Sequence, residues 1–243
     1  MRALVTGTNG TVAPVVVDAF REAGAEVLAW DRAEHPPDCA ASVRQSIAQV
    51  APDWVLHLAT GPEEWAGWIA EACAAQGRRM LFTSSVSVFA PRNEGPIPPE
   101  AEPDATDDYG RYKARAEALV REAAPDAVLA RLGWQIGETP GSNTMTDWLY
   151  RHAEAGPVEA STRWLPACSW LLDTAAALVA LVERAEGGTY HLDGNQGLSF
   201  HEITRRLSAR LGLGAEIVAT DEPVMDLRMP DPRVSVRDIA ERL

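Results

Sequence analysis

Lysine is almost missing from this chain. Of its 22 basic residues only Lys113 is a lysine, and the others are arginine. Positive charge as a whole is scarce, with 22 Lys and Arg against 35 Asp and Glu and a formal net charge of −13. That balance argues against a nucleic-acid-binding surface, because phosphate neutralisation needs clustered Lys and Arg. An anionic ligand would have to be held by a local arginine or by backbone N–H groups. Cysteine is sparse too. Cys39, Cys73 and Cys168 are odd in number, far apart, and form neither a CxxC pair nor a metal-ligand spacing. Free thiols in a reducing cytosol are expected, with no disulfide framework and no metal site. Long apolar runs are missing as well. The longest in the C-terminal half, Trp164 to Val182, is broken by Asp173, and Met1-Arg2 leads into a short strand-like run, not an apolar signal core. The expectation is a soluble, cytoplasmic protein with no membrane segment.

What is present is an ordinary globular balance. Hydrophobic residues make up 46% and charged residues 23% of 243, enough for a sizeable core. The length fits one large α/β domain, or a nucleotide-binding domain with a small appendage. Short β-branched runs alternate with amphipathic helical segments. Arg2 to Thr6, Ala25 to Trp30, Asp53 to Leu58, Met80 to Ser85 and Ala127 to Leu132 read as strands. Thr11 to Ala23, a segment ending near Val50, Glu63 to Gln76 and Asp107 to Ala123 read as the intervening helices. This is the pattern of a doubly wound parallel sheet covered on both faces, a Rossmann-type α/β fold. After Gly133 the rhythm changes. Helices over Thr144–Ala155, Leu171–Glu183 and Phe200–Leu211 dominate, with one short strand at Thr189–Leu192. The division expected is a dinucleotide-binding core over 1–133 and a smaller, mostly helical substrate lobe over 134–243, interleaved with the core.

Two constellations carry chemistry. The first joins strand to helix at Thr6-Gly-Thr-Asn-Gly-Thr-Val-Ala13. Gly7 permits a tight turn, Gly10 lets backbone approach a pyrophosphate, and the small Ala13 lets helix and strand pack closely. Asn9, Thr11 and Val12 complete the turn, and the helix start offers unpaired N–H groups to phosphates. A plain strand–helix turn remains the alternative to this reading. Asp31 follows at the end of the second strand, where a carboxylate can accept both hydroxyls of an adenosine ribose. Arg32 beside it can pair with a 2′-phosphate, so NAD and NADP both stay open. The glycine turn holds no basic residue, which leans towards NAD.

The second constellation is Tyr109-Gly-Arg-Tyr-Lys113, in the first turns of a helix that Thr106 or Asp107 can cap. Spacing of i and i+4 puts Tyr109 and Lys113 on one face. A neighbouring ammonium favours the phenolate and lowers the tyrosine pKa from about 10, as an acid/base group needs. Ser85 ends the preceding strand, where its hydroxyl can bond a substrate oxygen. A lysine placed at random among the 22 basic positions would land here about one time in 22. The choice has a physical reason: a compact ammonium on a flexible stem can serve a ribose and a phenol together, which a planar guanidinium cannot.

At these residues the chain resembles the extended branch of the short-chain dehydrogenase/reductase superfamily, the NAD-dependent epimerase/dehydratase family. Further motifs carry the likeness: Pro52-Asp-Trp-Val-Leu-His-Leu-Ala59, Phe82-Thr-Ser-Ser-Val-Ser-Val-Phe89, Leu171-Leu-Asp-Thr-Ala175, Gly188-Thr-Tyr-His-Leu192 and Leu198-Ser-Phe-His-Glu-Ile203. Within the branch, Trp30-Asp-Arg32 and Ser235-Val-Arg-Asp238 look most like dTDP-4-dehydrorhamnose reductases and related sugar-nucleotide enzymes. The resemblance implies Tyr109 as acid/base, Lys113 as its pKa-lowering partner and nicotinamide-ribose ligand, and Ser85 as the group that orients the substrate. It implies that Leu58, Ala59, Thr60, Thr83 and the turn Leu132-Gly133-Trp134 line the cleft for NAD or NADP.

The chain also departs from the branch. Val86 and Ser87 stand where its dehydratases carry Asp-Glu, which argues against a dehydratase. The segment after Ala59 is shortened to Pro62-Glu-Glu-Trp-Ala-Gly-Trp68, which is expected to alter a wall of the substrate cleft and leaves a homodimer open. Arg163 is a candidate for a substrate pyrophosphate or an ordinary surface arginine. Trp134, Trp164 and Trp170 are expected to pack the lobe, and His57 and His191 to be core histidines. The reading is an NAD(P)-dependent oxidoreductase acting on a carbonyl or hydroxyl of a small polar substrate, with a nucleotide sugar as one candidate. Its rivals are a nucleotide-sugar epimerase using the same triad and a non-catalytic NAD(P)-binding regulatory subunit.

Overall fold

The computed structural model describes residues 1–139, 144–184 and 186–243. Its first half is a regular alternation: β1 (Arg2–Thr6), α1 (Ala13–Glu22), β2 (Glu26–Ala29), α2 (Ala40–Val50), β3 (Trp54–His57), α3 (Glu63–Ala75), β4 (Arg79–Ser85), α4 (Asp108–Ala123) and β5 (Val128–Leu132). The second half continues with β6 (Trp134–Ile136), α5 (Met145–Ala155), β7 (Val158–Ser161), β8 (Trp164–Leu165), β9 (Cys168–Trp170), α6 (Leu171–Arg184), β10 (Gly188–Leu192), α7 (Phe200–Arg210), β11 (Ile217–Thr220) and β12 (Met225–Asp226).

Six strands pair in parallel in the order β10-β5-β4-β3-β1-β2. The chain runs outward from β1 to β2 and then crosses to β3 on the other side of β1. That reversal opens a crevice at the carboxyl ends of the strands, where ligands of open α/β sheets bind. The doubly wound sheet expected from the alternation of elements is therefore the fold.

Strand periodicity divides the core in two. Leu4, Val55, Phe82 and Leu129 face one layer, packed with Val43 and Ile47 of α2, Trp65 and Ile69 of α3, and Val120 of α4. Val5, Leu56, Leu81 and Val128 face the other, packed with Val16 and Phe20 of α1 and Leu178 and Leu181 of α6. The C-terminal half thus supplies α6 and β10 to the sheet and its cover.

The remainder of that half has its own core, in which Ile136, Leu149, Trp170, Phe200, Ile203 and Leu207 pack together. Where one strand is expected after Gly133, the structure adds six more, in the parallel pairs β6–β9, β7–β11 and β8–β12. None is longer than four residues. So short a segment shows too few alternations to declare a period of two.

Candidate functional site

A cleft of about 1160 Å³ opens at the carboxyl end of the sheet, above the β1–β3 reversal. All the residues that the sequence singles out as catalytic or cofactor-binding lie on its wall: Gly7, Asn9, Gly10, Thr11, Val12, Asp31, Arg32, Leu58, Ala59, Thr60, Thr83, Ser85, Tyr109, Lys113, Leu132, Gly133 and Trp134.

The floor is made by the turn between β1 and α1. Gly7 has φ +76°, and a Cβ there would sit 2.9 Å from Ala59 Cα, so the turn touches the end of β3 where only glycine fits. The Gly10 N–H donates to the Gly7 carbonyl at 2.8 Å. No side chain caps α1, and Pro14 occupies its first turn. The N–H groups of that turn have no intrahelical acceptor. Below the turn, the buried Thr6 hydroxyl accepts from Leu58 N–H at 3.1 Å and Ala59 N–H at 3.2 Å and meets His57 Nδ1 at 2.8 Å. This residue, which sequence reasoning passes over, clamps β1 to β3. Burial, with help from Lys113 and Arg32, pulls His57 down to about 3, so the ring is neutral.

At the β2 end, Asp31 Oδ1 accepts from the Ala33 and Glu34 N–H groups at 2.8 and 3.3 Å. Arg32 donates to the Thr60 carbonyl at 2.8 Å and lies 4.9 Å over the Trp65 ring. Trp65 itself is buried, edge-on to His57 and Trp30. The shortened segment Pro62–Trp68 was expected to alter a wall of the cleft. Instead none of its residues lines the cleft, because its apolar side chains turn into the core, where Trp65 backs Arg32 and Trp30 of the cleft wall.

The opposite wall is built by β4 and α4. Ser85 ends β4 and caps a short 3₁₀ turn over Val86–Val88, accepting from Ser87 N–H and donating to the Ser87 hydroxyl, both at 3.1 Å. Asp107 caps α4 by accepting from Gly110 N–H at 2.9 Å. A Cβ on Gly110 would overlap the Ser87 carbonyl oxygen, so glycine there lets the helix ride against the 3₁₀ turn and brings Tyr109 beside Ser85. Tyr109 is 47% exposed.

The Lys113 ammonium, 3% exposed, donates to the Thr83 carbonyl at 2.9 Å and sits 4.8 Å from the Phe82 ring centre. Burial lowers it to about 8, against the opposing pull of Glu117. The i, i+4 spacing leads one to expect that Lys113 lowers the tyrosine. Tyr109 is instead held above the ordinary phenol value by burial and by Tyr112, with the Ser85 hydroxyl working in the opposite direction. The reason is geometric, since the ammonium is bonded towards β4 rather than towards the phenol.

At the far end the chain crosses from β5 to β6 at Gly133, where a Cβ would stand 2.5 Å from the Ala167 backbone. Trp134 N–H donates to the Ala167 carbonyl at 2.8 Å, and its ring stacks on Phe200 and meets the edge of Trp148. Of the three tryptophans considered, only Trp134 lines the cleft. Trp164 packs on Phe200, and the buried Trp170 donates to Glu138 at 2.6 Å. Arg163 is exposed and outside the cleft. His191 is buried beside Arg131, away from the cleft.

Further lining residues were not anticipated as site residues, among them the polar Thr8, Ser84, Ser87 and Gln135. Gln135 is buried with its amide donating to the Gly133 carbonyl at 2.9 Å. Only the three-residue strand β6, invisible in the pattern, puts it on the wall.

The family model for the RmlD substrate binding domain matches residues 63–241. A probable low-salt glycan biosynthesis reductase, Agl14 of Haloferax volcanii, is 24% identical over 99% of this chain and 90% of its own. A dTDP-4-dehydrorhamnose reductase of Streptomyces griseus is 25% identical over 98% of this chain and 85% of its own. Among solved structures, a dTDP-4-dehydrorhamnose reductase from Bacillus anthracis in complex with NADP superposes with a TM-score of 0.80. It is 17% identical, covering 95% of this chain and 90% of that one.

Proposed function

Since this chain belongs to the RmlD substrate binding domain family, we propose that it is an NAD(P)-dependent oxidoreductase that reduces a carbonyl on a nucleotide-linked sugar. The observation that carries the reading is the meeting of the glycine turn, Asp31, Ser85, Tyr109 and Lys113 around one cleft. The names of the relatives support the sugar-nucleotide class.

The residues present fit a dinucleotide. The glycine turn is a cradle that a Cβ at Gly7 would disrupt, and the α1 start carries no side-chain cap that would compete with a phosphate. Gly7, Asn9, Gly10, Thr11 and Val12 would hold the pyrophosphate, and Asp31 and Arg32 the adenosine ribose. Leu58, Ala59, Thr60 and Thr83 would line the middle of the cofactor, with Lys113 on the second ribose and Leu132, Gly133 and Trp134 along the nicotinamide. Residues 1–133 form the cofactor half in this reading. Residues 134–243 form the substrate lobe, apart from α6 and β10, which return to the sheet.

When bound, the nicotinamide supplies a hydride to the carbonyl carbon. The remaining work is done by side chains of this chain. Ser85 donates to the carbonyl oxygen and orients it. Tyr109 delivers the proton to that oxygen, and its raised pKa keeps the phenol protonated and ready to give. Lys113, as an ammonium, favours the phenolate left behind. Val86, apolar on the same wall, offers no carboxylate for dehydration.

The test is turnover of NADH or NADPH, followed at 340 nm, on dTDP- and UDP-linked 4-keto sugars, with Tyr109→Phe beside the wild type. A net absorbance change that falls by about 10²-fold or more in the variant is expected. Isomer formation without net oxidation would make the protein an epimerase. Tight cofactor binding with no turnover of either kind would make it a binding subunit. Undiminished turnover in Tyr109→Phe would remove the tyrosine from the chemistry.

A further inference from the structure

Beneath the catalytic face of α4 lies a buried ion cluster that the proposed reaction does not use directly. Glu117 is fully buried, one helical turn past Lys113. Arg131 of β5, 1% exposed, grips it with two bonds of 2.9 and 2.8 Å, and Arg121 adds a third at 2.6 Å. Across the β4–β5 ladder Arg131 stands opposite Ser84, which lines the cleft beside Thr83, the acceptor of Lys113. Burying a carboxylate and a guanidinium under a sheet gives little net stability compared with apolar packing, so their presence asks for another reason.

We propose that Glu117 is a positioning residue that holds Lys113 in its charged form at the cleft wall, with the doubly bonded Arg131 as the counterion that keeps Glu117 ionised. The assignment rests on the reading of Lys113 as the partner of Tyr109. The groups around the ammonium leave Glu117 as its one anion among those described. The Phe82 and Tyr112 rings and the Thr83 carbonyl stand against it, the neutral His57 feels its charge from β3, and Glu117, one turn along α4, is the charged group that acts on it. Burial pulls Lys113 down to about 8 and Glu117 pulls it back up. Burial likewise pushes Glu117 up, but the bonds and charge of Arg131 outweigh it and the carboxyl stays below its usual range. Without Glu117 the effect of burial on the lysine would go unopposed.

Lys113 is the sole lysine of the chain, which makes the test direct. Tag-free protein grown on lysine labelled with carbon-13 at Cε gives one side-chain signal, whose shift against pH reports the charge of Lys113 whether or not the protein turns over. The wild-type midpoint is expected near 8. Glu117→Gln should lower it by roughly one pH unit, since an opposite charge has been removed. Arg121→Gln should move it upward by a smaller amount, since a like charge has been removed. Its side chain is 38% exposed, so this variant folds even if Glu117→Gln does not. Opposite displacements support the assignment, because a merely structural role would produce no such pair of signs. Midpoints that stay with the wild type in both variants overturn it. Displacements of the expected signs in a protein whose Tyr109→Phe variant still turns over would retain the electrostatic role of Glu117 and remove the oxidoreductase reading.

Discussion

The two layers that cover the sheet are built on different principles. The layer of α1 and α6 is apolar where it meets the sheet, with Val16, Phe20, Leu178 and Leu181 packed on Val5, Leu56 and Leu81. The layer of α2, α3 and α4 holds the same kind of side chains and also buries Lys113, Glu117, Arg131, His57 and His191. Against the sheet the first layer answers to packing. The second carries the side of the cleft where protons would move, and it keeps charged groups where apolar ones would pack more favourably. Stability and activity should therefore respond together to changes in one layer and separately in the other.

The largest effects separate the layers by pH. Leu178→Ala on the apolar side should destabilise by about 2–5 kcal/mol through the cavity it leaves, and the loss should be the same from pH 5 to 8. Arg131→Met should destabilise by about 3–5 kcal/mol, because Glu117 is left buried with only Arg121. This second loss depends on pH. Glu117 is held below its ordinary value in the fold, so the pair stabilises above the unfolded carboxyl pKa and loses that contribution as pH falls through the folded one. Urea unfolding at several pH values measures both. A pH-independent Arg131→Met penalty would erase the distinction between the layers.

A smaller effect of opposite sign is expected at Lys113. Unfolded, the lysine keeps its proton up to 10.5; folded, burial brings it to about 8. Between those values the unfolded chain binds more protons, so stability rises with pH through that window, and below about 8 the full penalty applies. Taken at face value the displacement corresponds to about 3 kcal/mol as an upper figure. Lys113→Met keeps the stem and removes the charge. It should raise the midpoint of thermal unfolding at pH 7, with a gain that shrinks towards pH 10.5, while turnover falls by about 10²-fold. A variant that is both inactive and less stable at pH 7 would show that the ammonium serves the fold as well as the site.

This division explains what could be read in the sequence. Gly7, Gly10, Asp31, Ser85, Tyr109 and Lys113 are legible because each belongs to a local motif in which spacing along the chain sets position: a turn, a strand end, one helix face. The sheet is legible for the same reason, through alternation over strands of four to seven residues. What stayed hidden depends on partners distant in sequence. Thr6 acquires its role from His57, Leu58 and Ala59. Gln135 reaches the cleft through a three-residue strand. Tyr109 is displaced upward by burial and by Tyr112, and Lys113 does not counter them because it bonds the Thr83 carbonyl, 30 residues away, and not the phenol one turn back. The spacing correctly put both groups on one wall, but it could not say which acceptor the ammonium would choose.

The smallest expected effect tests whether the charged layer also governs local geometry. Two of the helices with side-chain caps can be set side by side. Asp107 caps α4, two residues before Tyr109, and Ser199 caps α7 in a reciprocal box with Glu202, within the lobe. Replacing either by alanine removes one bond to a helix-end N–H and should destabilise by about 1 kcal/mol. Their effects on turnover should differ. Without Asp107 the first turn of α4 frays, and that turn is what sets Tyr109 against Ser85 and Gly110 against the Ser87 carbonyl. A displacement of about 1 Å at a reacting group can lower rate by about 10²-fold, so Asp107→Ala should reduce kcat while leaving cofactor affinity near that of the wild type. Ser199→Ala should lose the same stability and keep its kcat. Equal kcat in the two variants would mean that the 3₁₀ turn alone holds Tyr109 in place, and that the cap serves α4 only as Ser199 serves α7.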